Sequence, residues 1–256
     1  MKPMFRLLAL LAIPSVALCS AAAQADTLKV LTAGAFKQVV VAMAPAFETR
    51  TGHKLEIQND TAGALLRRVG AGETFDVLML TPAALQTLAS TGRVLPDSIA
   101  PLAKVGIGVA VKAGAPKPRI GTVADLKQTL LDARKVAYID PAAGGSSGIY
   151  LDGLFERMGI AEAIRAKAVL VPGGLVAERL VSGEADLAVH QISEILPVKG
   201  VEMVGPLPAE VQNATTYAGA IATDTAHVEA ARSLLAAMTG PDAAATLAGK
   251  GMSPAR

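Results

Sequence analysis

The residues best suited to chemistry lie in three short turns. Asp140-Pro-Ala-Ala-Gly-Gly-Ser-Ser-Gly-Ile-Tyr150 follows the apolar run Val136–Ile139 and leads into a pattern that predicts a helix over 148–158. Thr32-Ala-Gly-Ala-Phe36 follows Leu28–Leu31, and Asp60-Thr-Ala-Gly-Ala64 follows Lys54–Ile57. A small, hydroxyl-bearing turn between strand and helix presents free N–H groups at the positive end of the helix dipole, where anions are held well. Three such turns point to a site that clasps one small negatively charged molecule. The candidate contacts in these turns are the backbones of Ala35, Ala62, Gly63 and Gly145, with the side chains of Thr61, Ser146 and Ser147.

His190 stands at the carboxyl end of the apolar run Ala185–Val189. An imidazole there is a candidate general base, or alternatively a structural histidine. His53 and His227 lie in polar segments and are set aside. Gly144–Gly148 also spells G-x-S-x-G, with Ser146 in the nucleophile position and Asp186 and His190 following in order. A serine hydrolase is disfavoured, because the strand ends four residues before the motif and Asp186 and His190 share one short strand. No His or acid pair has ligand spacing on a common face, so neither a metal nor another cofactor is expected. Lys37, Arg67, Arg68 and Arg179 each follow a turn by about one helical turn. A polyanion bound without any cation is costly to desolvate, so at least one of the four is expected to face the site.

The elements that would position these residues alternate along the chain. Strands are expected at Leu28–Leu31, Leu55–Gln58, Asp76–Leu80, Val136–Ile139, Ala168–Val171, Ala185–Val189 and Tyr217–Ala222, with helical patterns between them. Val105–Val111 reads as one long apolar run crossing between lobes. The alternation predicts a parallel α/β architecture with helices on both sheet faces, and ligands in such sheets bind beyond the carboxyl ends of the strands.

The first 25 residues read as a cleavable export leader: Lys2 and Arg6, an apolar stretch Leu7–Leu18 too short to span a bilayer, then Ala23-Gln-Ala25. The whole chain of 256 residues has 24 Lys+Arg against 22 Asp+Glu. Removing Lys2 and Arg6 leaves 22 of each sign and no net charge. The leader also holds the single Cys, at position 19, so the mature chain has no thiolate chemistry, which suits an oxidising compartment. With no basic run, no Trp and few aromatics, nucleic acid is not an expected partner.

The stretches Val30-Leu-Thr-Ala-Gly-Ala35, Thr61-Ala-Gly-Ala-Leu65, Ala71-Gly-Glu-Thr-Phe-Asp-Val77, Asp140-Pro141 with Gly148-Ile-Tyr150, Gly183-Glu-Ala-Asp-Leu187 and Gly240-Pro-Asp-Ala-Ala244 span nearly the whole mature chain. In this order the chain resembles the type 2 periplasmic binding proteins, in particular the molybdate-binding branch of ABC importers. The resemblance implies a two-lobed α/β fold with a ligand cleft between the lobes. Lobe 1 is expected over 26–104 plus 217–256 and lobe 2 over 105–216, with closure about a hinge on binding. It also implies a monomer in the periplasm.

The ligand positions depart from the molybdate pattern. Ala35 stands where a Ser is usual, Thr61-Ala62-Gly63 where another Ser is usual, and His190-Gln191 where a Tyr is usual. A tetrahedral oxyanion needs several donors on about four oxygens, so molybdate is disfavoured. The set suits a larger planar anion, a di- or tricarboxylate. In this the chain resembles the branch that includes periplasmic aconitate isomerases. That resemblance implies a cofactor-free 1,3 proton shift, with His190 as base, Thr61, Ser146 and Ser147 on the carboxylates, and Gly174 and Gln191 as further substrate contacts. The alternative is a solute-capture subunit for an ABC permease, binding an organic anion or a molybdate-like oxyanion.

Overall fold

The computed structural model describes residues 25–255; apart from Ala25, the leader expected over residues 1–25, Cys19 included, lies outside the described residues. β1 (Thr27–Ala33) runs directly into α1 (Gly34–Thr51), and β2 (Lys54–Asp60), α2 (Ala62–Gly70), β3 (Val77–Leu80) and α3 (Pro82–Ser90) follow as βα units. Then come β4 (Ala100–Val105), β5 (Ile107–Lys112), α4 (Val123–Asp132), β6 (Val136–Ile139) and α5 (Ser146–Arg157). The chain continues through α6 (Ala161–Arg165), β7 (Ala168–Val171), α7 (Glu178–Val181), β8 (Leu187–Gln191), α8 (Ile192–Ile195) and β9 (Val201–Pro206). It closes with β10 (Thr215–Ile221), α9 (Val228–Thr239), α10 (Pro241–Gly249) and β11 (Met252–Pro254).

The strands form two sheets, ordered β11-β4-β10-β3-β1-β2 and β7-β6-β8-β5-β9. Each is the heart of one lobe. In the first, β3 is central and all four of its residues are buried, so its apolar run faces protein on both sides. The core there gathers Phe36, Phe47, Leu78 and Tyr217. The second sheet is covered on both faces, by one cluster around Tyr138, Leu151 and Phe155 and by another around Val176, Leu180 and Ile195.

The wholly parallel arrangement expected from the alternation does not hold. β1 pairs in parallel with β2 and β3, and β6 with β7 and β8. However, β10 runs antiparallel to β3 and β4, and β5 antiparallel to β8 and β9. The reason lies in the crossings. A parallel neighbour needs a long return connection, whereas these strands arrive from the other lobe. Val105–Val111 is accordingly not one strand: Gly106 divides β4 in the first sheet from β5 in the second. The return lies between β9 and β10, and Gln212 in that return grips the outward crossing. Its Oε1 accepts from the Ile107 N–H at 2.8 Å and its Nε2 donates to the Ile107 carbonyl at 2.9 Å.

Candidate functional site

The carboxyl ends of β1, β2, β6 and β8 converge on one cavity between the lobes. It holds about 380 Å³ of space not filled by atoms, part of it open to solvent. From the first lobe come Ala33, Gly34 and Ala35 at the start of α1, Asn59 to Ala62 around the start of α2, and Tyr217 of β10. From the second come Gly145, Ser146 and Ser147 at the start of α5, Gly174, and the group His190, Gln191 and Glu194. All three Gly/Ala/Ser turns therefore aim the first turn of a helix at the same space. The unpaired N–H groups of a first turn and the positive dipole end make each an anion-holding element.

The sequence-predicted residues do not all perform alike. Ala35, Ala62, Gly145, Ser146, Ser147, Gly174, His190 and Gln191 line the cavity. Ser147 is buried, and its hydroxyl makes no hydrogen bond to another described residue, so it can serve a ligand. Thr61 is engaged otherwise: its Oγ1 donates to the Ala143 carbonyl at 2.5 Å and accepts from the Ala64 N–H at 3.1 Å, capping α2. Gly63 lies outside the cavity lining, on the rim, where its N–H donates to the Gly144 carbonyl at 3.0 Å. These two bonds tie the lobes together across the cleft rather than offering donors to a ligand. The expected cation is absent from the lining, among the described residues. Arg68 is drawn to Glu73, with Nε at 2.6 Å from its carboxylate, and Arg179 to Glu184 at 3.0 Å. Arg67 is exposed and Lys37, half-buried, does not reach the lining.

Among the lining residues that escaped the sequence reading are Tyr217 and Glu194. Tyr217 crosses from the first lobe: its hydroxyl donates to Gln191 Oε1 at 3.0 Å and lies 3.3 Å from Ser146 Oγ, which also receives Gln191 Nε2 at 3.3 Å. Burial, with the nearby Glu194 as second cause, pushes the Tyr217 hydroxyl up to about 12, so it stays a neutral donor. Glu194 is the other. It lies four residues after His190 in α8, and its Oε2 is 3.3 Å from His190 Nε2, with both side chains almost wholly buried. The sequence signal was an acid inside Gln191-Ile-Ser-Glu-Ile195, one helical turn from the histidine.

Burial pushes Glu194 up to about 8 and His190 down to about 3, so both are neutral near pH 7. Of the two, Glu194 and not His190 is the group held near neutral strength. Asp186 completes no triad: its carboxylate accepts from the N–H groups of Arg134 and Lys135 at 3.0 and 2.7 Å, at the far end of β8.

This pair should leave a mark on stability. Folded Glu194 keeps its proton to about pH 8, whereas the unfolded carboxyl releases it near 4.5. The folded state binds more protons across that window, so stability falls as pH rises through it. His190 acts oppositely, because the unfolded imidazole gains a proton below 6.5 and the folded one only near 3. The two effects offset each other between 4.5 and 6.5. Urea unfolding should therefore show stability falling by about 2 kcal/mol between pH 6.5 and 8, and Glu194→Gln should flatten that decline. A variant with the wild-type slope would mean that burial does not hold this proton.

Residues 28–253 match the family described as bacterial extracellular solute-binding protein. An aconitate isomerase from Pseudomonas sp. is 38% identical over 261 aligned residues, covering 98% of both chains. Among solved structures, the periplasmic molybdate-binding protein of Azotobacter vinelandii superimposes with a TM-score of 0.72 at 22% identity, covering 90% of this chain and 100% of that one. The sulfate-binding protein SubI of Mycobacterium tuberculosis superimposes with a TM-score of 0.72 at 18% identity, covering 90% and 87%. The fold is thus the two-lobed type 2 binding-protein fold, and by its sequence the chain belongs to the family of bacterial extracellular solute-binding proteins.

Proposed function

We propose that this protein is a periplasmic isomerase that interconverts trans- and cis-aconitate by a 1,3 proton shift. The observation that carries the reading is the 38% identity to an aconitate isomerase over 98% of both chains. The site's chemistry suits it. The reaction removes a proton from the methylene beside one carboxylate and returns it at the vinylic carbon, moving the double bond. It needs three things: donors for a polyanion, a base of near-neutral strength, and stabilisation of charge arriving on carboxylate oxygens. The first turns of α1 and α5, the Ala62 N–H at the start of α2 and Ser147 supply donors where the cavity lining has no Lys or Arg. The buried His190–Glu194 pair supplies an acid–base group beside them. The leader-like first 25 residues and the family's extracellular description support a periplasmic location.

A second reading keeps the cleft as a transport receptor for an organic anion that docks on an ABC permease. What favours it is the shared fold with a molybdate-binding protein, since this architecture commonly captures solutes. Proton NMR of the purified protein with trans-aconitate in D₂O separates the two. The expected result is the cis isomer, with deuterium at the carbon that gained the hydrogen to the extent that the removed proton exchanges with solvent before its return. Broadened ligand signals without conversion would favour the receptor. Neither effect would remove aconitate altogether.

A further inference from the structure

Resting on the isomerase reading, we infer that Glu194, not His190, exchanges the proton with the substrate, and that His190 is the positioning residue which holds the Glu194 carboxyl with Oε1 turned to the cavity. The geometry assigns the two roles differently. Glu194 Oε2 lies 3.3 Å from His190 Nε2. Oε1 has no hydrogen-bond partner among the described residues. It lies beside the start of α1, where a Cβ built on Gly34 would come within 2.6 Å of it. Only glycine at position 34 leaves that carboxyl its place at the helix end. His190 is sealed more tightly: its residue is 1% exposed against 7% for Glu194, and its Nδ1 is buried without a partner.

The tautomer follows. An unpaired buried N–H costs more than an unpaired acceptor that can be left as a lone pair in apolar surroundings. Nε2 therefore carries the proton and donates to Oε2, which leaves Oε1 as the free basic oxygen. The ionised carboxylate would sit at the positive end of the α1 dipole.

The step balances with no other reagent. Oε1 takes the methylene proton, breaking the C–H bond and forming O–H. The electron pair spreads through the allylic system onto the distal carboxylate, where first-turn N–H groups receive the charge. Oε1–H then returns the proton to the former vinylic carbon, the double bond settles in its new place, and the carboxylate is regenerated. His190 stays neutral throughout. A single oxygen serving both carbons fits a 1,3 shift across one face of a planar substrate.

The groups facing Glu194 are His190 from β8, Tyr217 from β10 and Asp60 at the end of β2, with no Lys or Arg in the lining. None of them adds a positive charge, so ionisation of Glu194 sets the rising limb of activity. Turnover of trans-aconitate should be followed from pH 6 to 9 for the whole protein, Glu194→Gln, His190→Leu and His190→Gln, with binding measured by calorimetry. Glu194→Gln should lose at least a thousandfold in kcat with affinity changed less than tenfold. His190→Leu should lose ten- to a hundredfold at pH 7 and move the rising limb to higher pH, because the donor to Oε2 is gone. His190→Gln, which restores an N–H donor, should recover part of both.

If Glu194→Gln fails to fold, Glu194→Asp withdraws the oxygen by one methylene and should still cost at least a hundredfold in kcat. A Glu194→Gln protein that turns over within tenfold of wild type would overturn the assignment while leaving the isomerase reading intact. So would a His190→Leu protein as inactive as Glu194→Gln at every pH. A wild-type protein with no turnover would overturn the isomerase reading itself, and the assignment with it.

Discussion

Replacing Gly148 by alanine is expected to destabilise the protein by about 3 kcal/mol, the upper part of the range for forcing extra atoms into a packed interior. A Cβ at Gly148 would come within 2.2 Å of the Ile139 carbonyl oxygen and 2.5 Å of Ile139 Cγ2. The first of these is backbone, so no side-chain rotation relieves it. The start of α5 must move off the end of β6, and it carries Ser146 and Ser147 into the cavity. Better helix propensity returns at most about 1 kcal/mol. For a chain of this size the midpoint of thermal unfolding should fall by roughly 10 °C. Gly153→Ala is the control, in the same helix and with the same chemistry. Its Cβ would meet only the far end of Arg157 at 3.4 Å, so propensity should dominate and stability should rise slightly. Equal effects at the two positions would refute the close approach of helix and strand. Gly148 also explains why the motif here is not a nucleophile elbow. Its last glycine seats a helix against a strand, and a 3₁₀ turn, Pro141–Ala143, separates strand from serine.

The site was legible in the sequence wherever local order decides position. A strand followed by small residues and then a helical period places those residues at a helix start, and β1–α1, β2–α2 and β6–α5 all obey. His190 was found because an apolar run ends there and Gln191 because the resemblance puts a ligand position beside it, although β8 continues two residues beyond the expected Val189 and includes both. What tertiary contact decides was not legible. Tyr217 sits in a strand of the other lobe, 71 residues from Ser146, and nothing periodic links them. Glu194 was not singled out, because its burial depends on α8 packing against α1 across the lobes. Thr61 was read as a ligand donor because a hydroxyl at a helix start serves either purpose. Only the position of Ala143 shows which one it serves here. The antiparallel strands were missed for the same reason: Val105–Val111 is apolar throughout, and only the separation of the sheets gives Gly106 its meaning.

The second large effect is expected at Gly144, where alanine should weaken binding of the proposed ligand, trans-aconitate, about a hundredfold while lowering the stability of the unliganded protein much less. Gly144 has φ +79°, in the left-handed region, which alone costs an alanine about 1 kcal/mol. Its Cβ would also come within 2.6 Å of Gly63 Cα and 3.1 Å of Gly63 N, on the opposite lobe. Since both contacts are backbone, the two loops must separate. With them go the hydrogen bonds from Gly63 N–H to the Gly144 carbonyl and from Thr61 Oγ1 to the Ala143 carbonyl. Two such bonds at about 1 kcal/mol each, with about 1 kcal/mol of contact strain against the Gly63 backbone, amount to roughly 3 kcal/mol against the closed cleft, apart from the φ cost. Each 1.4 kcal/mol is about tenfold in affinity when only the closed form binds. Neither lobe's own core is touched, so unfolding of the free protein should register chiefly the φ cost. Calorimetry of wild type and Gly144→Ala, beside urea unfolding of both without ligand, reads the two quantities separately. Affinity within threefold of wild type would mean that the rim contact does not hold the cleft shut. Affinity and stability falling together would place Gly144 in the folding of its loop. Only a large loss of affinity with a small loss of stability fits a rim at which two glycines let the lobes meet backbone to backbone over the bound anion.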